Sequence, residues 1–321
     1  MPSSSKPLVR IVTPGTREAN NGNWRTGVRW AAALRGSFRV ILQSEWRGES
    51  ADALVALHAR RSAACIAGFH ARFAERPIGL VLTGTDLYHD LPDDLQAQAS
   101  LRIASRIAVL QDDARPRVPE GARGKVHVIY QSARALRPAA KSGERLDCVV
   151  VGHLRAEKDP ETLFRALRTL PAELPIRVLH VGAGLDRTLA AHARQLMRTH
   201  PRYRWAGALP HGLARAAIKR AHLLVHPSRL EGGANVIAEA IMSGTPVMGS
   251  RMSGNIGMLG ANYPGFFPVG DSRALAAMLA RAATDPRFLA RLRAAGDRRK
   301  PLFRPEKEAA AVRAFVRGLL A

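Results

Sequence analysis

The sequence predicts an α/β protein made of two Rossmann-like, doubly wound domains facing across a cleft, and three observations carry that expectation. A chain of 321 residues is too long for one ordinary doubly wound unit and comfortable for two, each able to bury its own core. Short apolar, β-rich runs alternate with helical or turn-rich stretches in both halves, which argues for parallel sheets covered on both faces. Between the halves lies Arg137-Pro138-Ala139-Ala140-Lys141-Ser142-Gly143, polar and rich in breakers, as suits a linker.

Taken in order, the first-half strands are expected at 8–12, 39–42, 53–57, 78–82, 106–110 and 126–130. Those of the second half fall at 148–151, 177–181, 203–205, 222–225, 246–249 and 265–269, with a helix over 161–170. Residues 305–321 read as an amphipathic helix with Ala309, Val312, Phe315 and Leu319 on one stripe. The expected domains are therefore 1–138 and 139–302, with a last helix at 303–321 packing back on the first.

Composition narrows the class. Apolar residues form 46% of the chain, and no window approaches the eighteen uncharged apolar residues of a membrane span. The start, Met1-Pro2-Ser3-Ser4-Ser5-Lys6-Pro7, lacks the apolar core of a secretory signal, so a cytoplasmic protein without a membrane partner is expected. Cys65 and Cys148 lie far apart in apolar segments with no metal-ligand spacing, and read as buried free thiols. A net charge of +23 raises a nucleic-acid binder as a rival. Against it, the basic residues spread along the whole chain, only seven are Lys, and no aromatic interleaving is visible. A solvated basic surface, with a basic cleft for small phosphorylated substrates, fits better.

Ligands of open α/β sheets bind beyond the carboxyl ends of the strands. In the second half, Gly152-His153-Leu154-Arg155-Ala156-Glu157-Lys158-Asp159-Pro160 sets two cations in such a loop, suited to a diphosphate. Gly182-Ala183-Gly184 is a GxG turn that supports the fold more than the function. Then comes the strongest signal: Glu231-Gly232-Gly233-Ala234-Asn235 opens a helix carrying Glu239, followed by Gly244-Thr245-Pro246-Val247. Bare N–H groups of that first turn suit an anion, and the two carboxylates suit sugar and ribose hydroxyls.

The Glu231/Glu239 spacing, the Gly244 turn and the Gly152-to-Lys158 loop resemble the donor half of retaining, sucrose-synthase-like GT-B glycosyltransferases over roughly 148–279. That resemblance implies a nucleotide diphosphate sugar, with Lys158 on the diphosphate, Gly232 and Gly233 at sugar and phosphate, and Glu239 on the ribose. Ala234 and Asn235 complete the expected donor contacts. Where the family usually has Arg after the loop glycine, this chain has His153; whether His153 or Arg155 takes that charge stays open.

The first half turns basic at its expected strand ends. Arg17 and Asn23 follow the first strand and the helix after it presents Arg25 and Arg29 on one side, while His58-Ala59-Arg60-Arg61-Ser62 follows the third strand and Thr83-Gly84-Thr85-Asp86 the fourth. A small anionic acceptor is inferred. Arg17, Asn23, Arg25, Ser62, Thr83 and Thr85 are its expected binders, while His58, Arg60, Arg61, Asp86 and Glu231 are the candidate catalytic groups.

Over the whole chain the sequence is similar to the selenosugar synthase family of the selenoneine pathway. The residues that carry this are Ile11-Val12-Thr13-Pro14, Leu54-Val55-Ala56-Leu57-His58-Ala59-Arg60-Arg61-Ser62, Leu82-Thr83-Gly84-Thr85-Asp86-Leu87-Tyr88, Gln131-Ser132-Ala133 and Val151 through Pro160. This resemblance implies that a UDP-sugar, UDP-N-acetylglucosamine or UDP-glucose, is joined at its anomeric carbon to selenium from selenophosphate. It also implies a functional link to a selenophosphate synthetase. No cofactor or metal is expected, because no DxD stands in a donor position and Asp93-Asp94 and Asp112-Asp113 read as solvated turns. The alternative is a conventional retaining hexosyltransferase acting on a lipid or glycan hydroxyl.

Overall fold

A computed structural model describes residues 6–15, 22–137 and 139–321. Arg17 and the linker residue Pro138 lie outside the described residues. The chain divides into two compact units, Met1–Ser132 with Arg304–Ala321, and Ala133–Phe303.

In the first unit run β1 (Leu8–Val12), α1 (Gly22–Leu34), β2 (Arg39–Gln43), β3 (Ala53–Leu57), α2 (Ala63–Arg72), β4 (Ile78–Leu82), α3 (Leu95–Ile103), β5 (Arg106–Val109) and β6 (Val126–Val128). Its strands form one parallel sheet in the order β2-β1-β3-β4-β5-β6. The second unit holds β7 (Leu146–Val151), α4 (Pro160–Thr169), β8 (Ile176–Val181), α5 (Arg187–Thr199), β9 (Tyr203–Trp205), α6 (His211–Arg220), β10 (Leu223–His226) and α7 (Asn235–Met242). It continues with β11 (Val247–Ser250), α8 (Ser253–Leu259), β12 (Phe266–Phe267), α9 (Ser272–Thr284) and α10 (Pro286–Asp297). These strands also pair in parallel, in the order β12-β11-β10-β7-β8-β9.

Two doubly wound parallel sheets are therefore present, as the alternation of runs predicts. β3 and β4 are buried at every position, which is why they read as unbroken apolar runs instead of alternating ones. Strand order reverses between β1 and β3 in one sheet and between β7 and β10 in the other. Such switch points open a crevice at the carboxyl ends, and the loops after those four strands are where chemistry belongs.

The last helix, α11 (Pro305–Leu320), belongs to the first unit. Val312, Phe315 and Leu319 are buried, and the Phe315 ring meets Trp30 edge-on at 5.8 Å. Glu308 is buried as well, which the apolar stripe did not foretell: it accepts from Arg29 Nε at 3.1 and 3.2 Å and from the Ser132 N–H at 3.0 Å. Arg29, which also donates to Gln131, is thereby a tie of the first unit and not a surface cation beside Arg25.

Residues 139–143 are not a free linker but part of the second unit. Lys141 Nζ donates to the Ala221 carbonyl at 2.7 Å and His222 Nε2 lies 2.9 Å from that of Ser142. Of the two thiols only Cys148 is buried, which raises its pKa; Cys65 is half-buried and accepts from the Trp46 N–H.

Candidate functional site

At the switch point of the second sheet, the loop after β7 meets the loop after β10. Lys158 Nζ donates to Glu231 Oε1, and His226 Nε2 stands 3.3 Å from that same oxygen. At that distance His226 Nε2 has no hydrogen bond of good geometry. Burial opposes ionisation of Glu231, but the Lys158 ammonium and His226 outweigh it and hold the carboxyl well below the usual range. Asp159, buried and left-handed at φ 45°, locks the loop by accepting from Arg229 Nε at 2.9 Å and Thr162 Oγ1 at 2.7 Å. Arg229 in turn donates its backbone N–H to the Glu157 carbonyl, so the two loops are tied together.

The GxG turn after β8 has a packing reason. A side chain on Gly182 would put its Cβ 1.9 Å from the Gly152 carbonyl oxygen, so only glycine lets the two loops touch. Behind them, His180 is 2% exposed, with Nε2 3.1 Å from the Gly152 oxygen and Nδ1 3.0 Å from Tyr203 Oη. Since Nε2 faces a carbonyl, the neutral ring carries its proton there and accepts the Tyr203 O–H at Nδ1.

Burial pushes the His180 pKa from 6.5 down to about 4, against the Gly152 carbonyl that favours the charged ring. The unfolded chain thus takes up a proton that the folded protein refuses. Stability is expected to fall from about pH 6.5 and level off below about pH 4, by roughly 3 kcal/mol from this ring alone. Urea unfolding from pH 7 to pH 4 checks it: His180→Phe, neutral throughout, should show a shallower loss than the natural protein.

His153 accepts the Ala183 N–H at Nδ1, 2.9 Å away, which leaves Nε2–H as its free donor. Burial, with Arg155 and Lys158 nearby, lowers its pKa, so this position offers a neutral N–H and not a charge. Arg155 is half-exposed, its Nε 4.0 Å from Glu157 Oε2 and without a hydrogen-bond partner. On the other side of Glu231, Gly232, Gly233 and Ala234 lead into α7, whose first turn has no side-chain cap. Asn235 Oδ1 is buried without a partner, and Glu239 pairs with His211 Nε2 at 2.6 Å.

In the first unit, the turn after β4 is organised around Asp86, which is fully buried. Its Oδ1 accepts from the N–H groups of Thr83, Gly84 and Leu87 at 2.8, 2.8 and 3.1 Å, and its Oδ2 from that of Ala59 at 3.0 Å. A single π-helical turn, Asp86–Asp90, starts there. His58 follows β3 directly with a left-handed backbone, φ 74°, a strain of about 1–3 kcal/mol that persists only where its surroundings fix it. The ring accepts the Arg61 N–H at Nδ1 and faces Thr85 Oγ1 with Nε2 at 3.2 Å. Burial lowers its pKa although Asp86 works the other way, so a neutral ring donates to Thr85.

The family is decided at the sequence level of the second unit, where the model described as "Glycosyl transferases group 1" matches residues 133–299, more than half of the chain. The chain belongs to the group 1 glycosyltransferases. Sucrose-phosphate synthase of Thermosynechococcus elongatus shares its fold at a TM-score of 0.80 and 16% identity, over 98% of this chain and 99% of that one. Alr3699/HepE of Anabaena does so at 0.75 and 12% in complex with UDP-glucose, over 97% and 100% of the chains. The same Anabaena protein with UDP gives 0.71 and 15%, over 98% and 99%. No curated protein is a significant sequence match.

In this glycosyltransferase the residues named from sequence separate into two groups. His153, Arg155, Lys158, Glu231, Gly232, Gly233, Ala234, Asn235 and Glu239 share the carboxyl end of the second sheet. His58, Arg60, Arg61, Ser62, Thr83, Thr85 and Asp86 share that of the first, with Asn23 and Arg25 in the opening turns of α1. Several are already occupied. Ser62 Oγ donates to the Leu57 carbonyl at 2.7 Å, and Arg60 is held by Asp94 at 2.8 Å and by Asp90 at 3.7 Å. Asp94, which caps α3, is thus no solvated turn residue. Arg61 is exposed and carries no ion pair among the described residues. Among them, too, no cluster of His, Cys, Asp or Glu could hold a metal, and no helix is long and apolar enough to cross a membrane.

Proposed function

We propose that this glycosyltransferase takes its sugar from a UDP-sugar bound by the second unit, and passes it to selenophosphate. The observation that carries the donor half is the meeting of Lys158, Glu231 and His226 at the β7/β10 switch point, with Glu239 one helix away. The Anabaena neighbour of the same fold binds UDP and UDP-glucose by its description. On this reading Lys158 and the N–H groups of Gly233 to Asn235 take the diphosphate, Glu231 the sugar and Glu239 the ribose. His153 supplies a neutral N–H and Arg155 the outer charge.

Selenophosphate as acceptor is supported by the sequence likeness in residues 11–14, 54–62, 82–88, 131–133 and 151–160. Arg61, unpaired beside His58 and Thr85, is a cation suited to its phosphate. Selenium attacks the anomeric carbon as the bond from that carbon to the β-phosphate oxygen breaks, and UDP leaves with the electron pair. Water then cleaves the P–Se bond, releasing phosphate and a selenol. An anionic nucleophile requires no strong base, so positioning and charge neutralisation carry the barrier lowering, about 7–11 kcal/mol for good orientation. His58 and Asp86 act in positioning, Asp86 by shaping the loop that holds Thr83 and Thr85.

Mass spectrometry of a reaction with purified protein, UDP-N-acetylglucosamine or UDP-glucose, and selenophosphate tests the reading. The expected product is the selenosugar with UDP. A product formed only with a sugar or lipid hydroxyl would overturn the selenium step and leave the donor assignment standing.

A further inference from the structure

If Lys158 transfers to a diphosphate, its withdrawal from Glu231 strands a carboxylate. The inference rests on the donor reading above. Glu231's side chain is 12% exposed, so losing the ammonium would leave a charged oxygen in a nearly dry place. The backbone of Glu231 is packed against Gly254, where a Cβ would lie 2.1 Å from the Glu231 carbonyl oxygen. Lys158 can move, being a point charge on a flexible stem.

One side chain is placed to meet the need. His226 is 2% exposed, and its Nε2 has no hydrogen-bond partner although it stands 3.3 Å from Glu231 Oε1, the oxygen that Lys158 occupies. Buried unpartnered N–H groups are rare and call for a reason. Its backbone is fixed in β10, paired with Gly249, and the ring shares a small cavity with Gly152, Lys158, His180 and Ser228. His180, the other histidine of that cavity, does not compete for it, being spent on Gly152 and Tyr203. We propose that His226 is a positioning residue that takes over Glu231 Oε1 when Lys158 transfers to the donor diphosphate. The carboxylate then keeps its place and its charge for the sugar hydroxyls.

Calorimetric titration with UDP separates this from a merely structural role. His226→Phe, or His226→Leu should the larger ring not be accommodated, is expected to bind UDP roughly tenfold more weakly, because the released carboxylate goes unpaired. Its melting temperature without nucleotide should fall by only a few degrees, since Lys158, the larger of the two charges on Glu231, still covers the carboxylate. His226→Gln, which keeps a donor, should recover most of the affinity. In a Lys158→Ala background UDP displaces nothing from Glu231, so adding His226→Phe should change the affinity less than twofold. An equal tenfold loss in both backgrounds, or a loss that Gln does not relieve, overturns the hand-over. Absence of UDP binding by the natural protein overturns the donor reading itself.

Discussion

Lys158→Ala is expected to lower kcat/KM for the UDP-sugar by about 10²–10³, or roughly 3–4 kcal/mol, with the loss appearing in UDP affinity as well. The ammonium is more enclosed than the other cation of its loop, with 23% of its side chain exposed against 43% for Arg155. A charge that is partly desolvated acts through a lower effective dielectric, so the same phosphate gains more from Lys158 than from the outer arginine. Lys158→Arg should restore little. The lysine stem runs over Gly152, 3.6 Å from where a Cβ would stand, and a planar fork on a longer stem does not reproduce that approach. A second consequence concerns Glu231, whose carboxyl lies far below its ordinary 4.5 because Lys158 and His226 outweigh burial. A depressed carboxyl adds stability that is complete above about pH 4.5 and fades as pH falls through the lower folded value; the variant should lose part of that contribution. Steady-state kinetics over a range of UDP-sugar, with UDP titration, checks the main result. Unchanged kcat/KM and affinity would sink the donor site.

Much of this was legible in the sequence because it depends on local pattern. The twelve strands among the described residues all overlap the apolar runs, most plainly β3 and β4, whose burial at every position leaves no polar face. The residues that gather at the carboxyl end of the second sheet stood out for a related reason: glycines at a strand-to-helix turn and acids at a helix start have few packing uses. Partners were not legible, because partnership is set by three-dimensional proximity. Nothing near Arg60 in the sequence says that Asp94 will hold it, and nothing in the tail stripe says that Glu308 will reach Arg29 across 279 positions. His226 lies just past the expected strand 222–225, and its unpartnered Nε2 exists only once β10 is set beside β7. Spacing showed the cations as available, and the fold decided which were spent.

Asp86→Ala should be the most destabilising change in the first unit, costing about 3–5 kcal/mol. The carboxylate is fully buried and takes four backbone N–H groups from three places in the chain: Ala59 after β3, Thr83 and Gly84 after β4, and Leu87 in the following turn. Hydrogen bonds to a charged group are worth about 1.5–3 kcal/mol each, and removing the acceptor leaves donors that no nearby side chain can satisfy. Their sum is not additive, since the turn relaxes and water enters, hence the smaller total. Asp86→Asn separates charge from geometry: one amide oxygen still serves Thr83, Gly84 and Leu87, but the amide nitrogen then faces the Ala59 N–H, donor against donor. About 1–3 kcal/mol is expected there. At roughly 2–4 °C per kcal/mol, the alanine variant should melt about 10 °C lower and the asparagine variant a few degrees lower. Because Ala59 adjoins His58, loss of its anchor also frees the strained φ of 74°, so the ring drifts from Thr85 and acceptor use declines. UDP affinity should stay within about twofold, since the donor contacts proposed above lie on the other sheet. A melt unchanged in both variants would show that the loop holds its shape without Asp86, and the acceptor side would then need a different organiser.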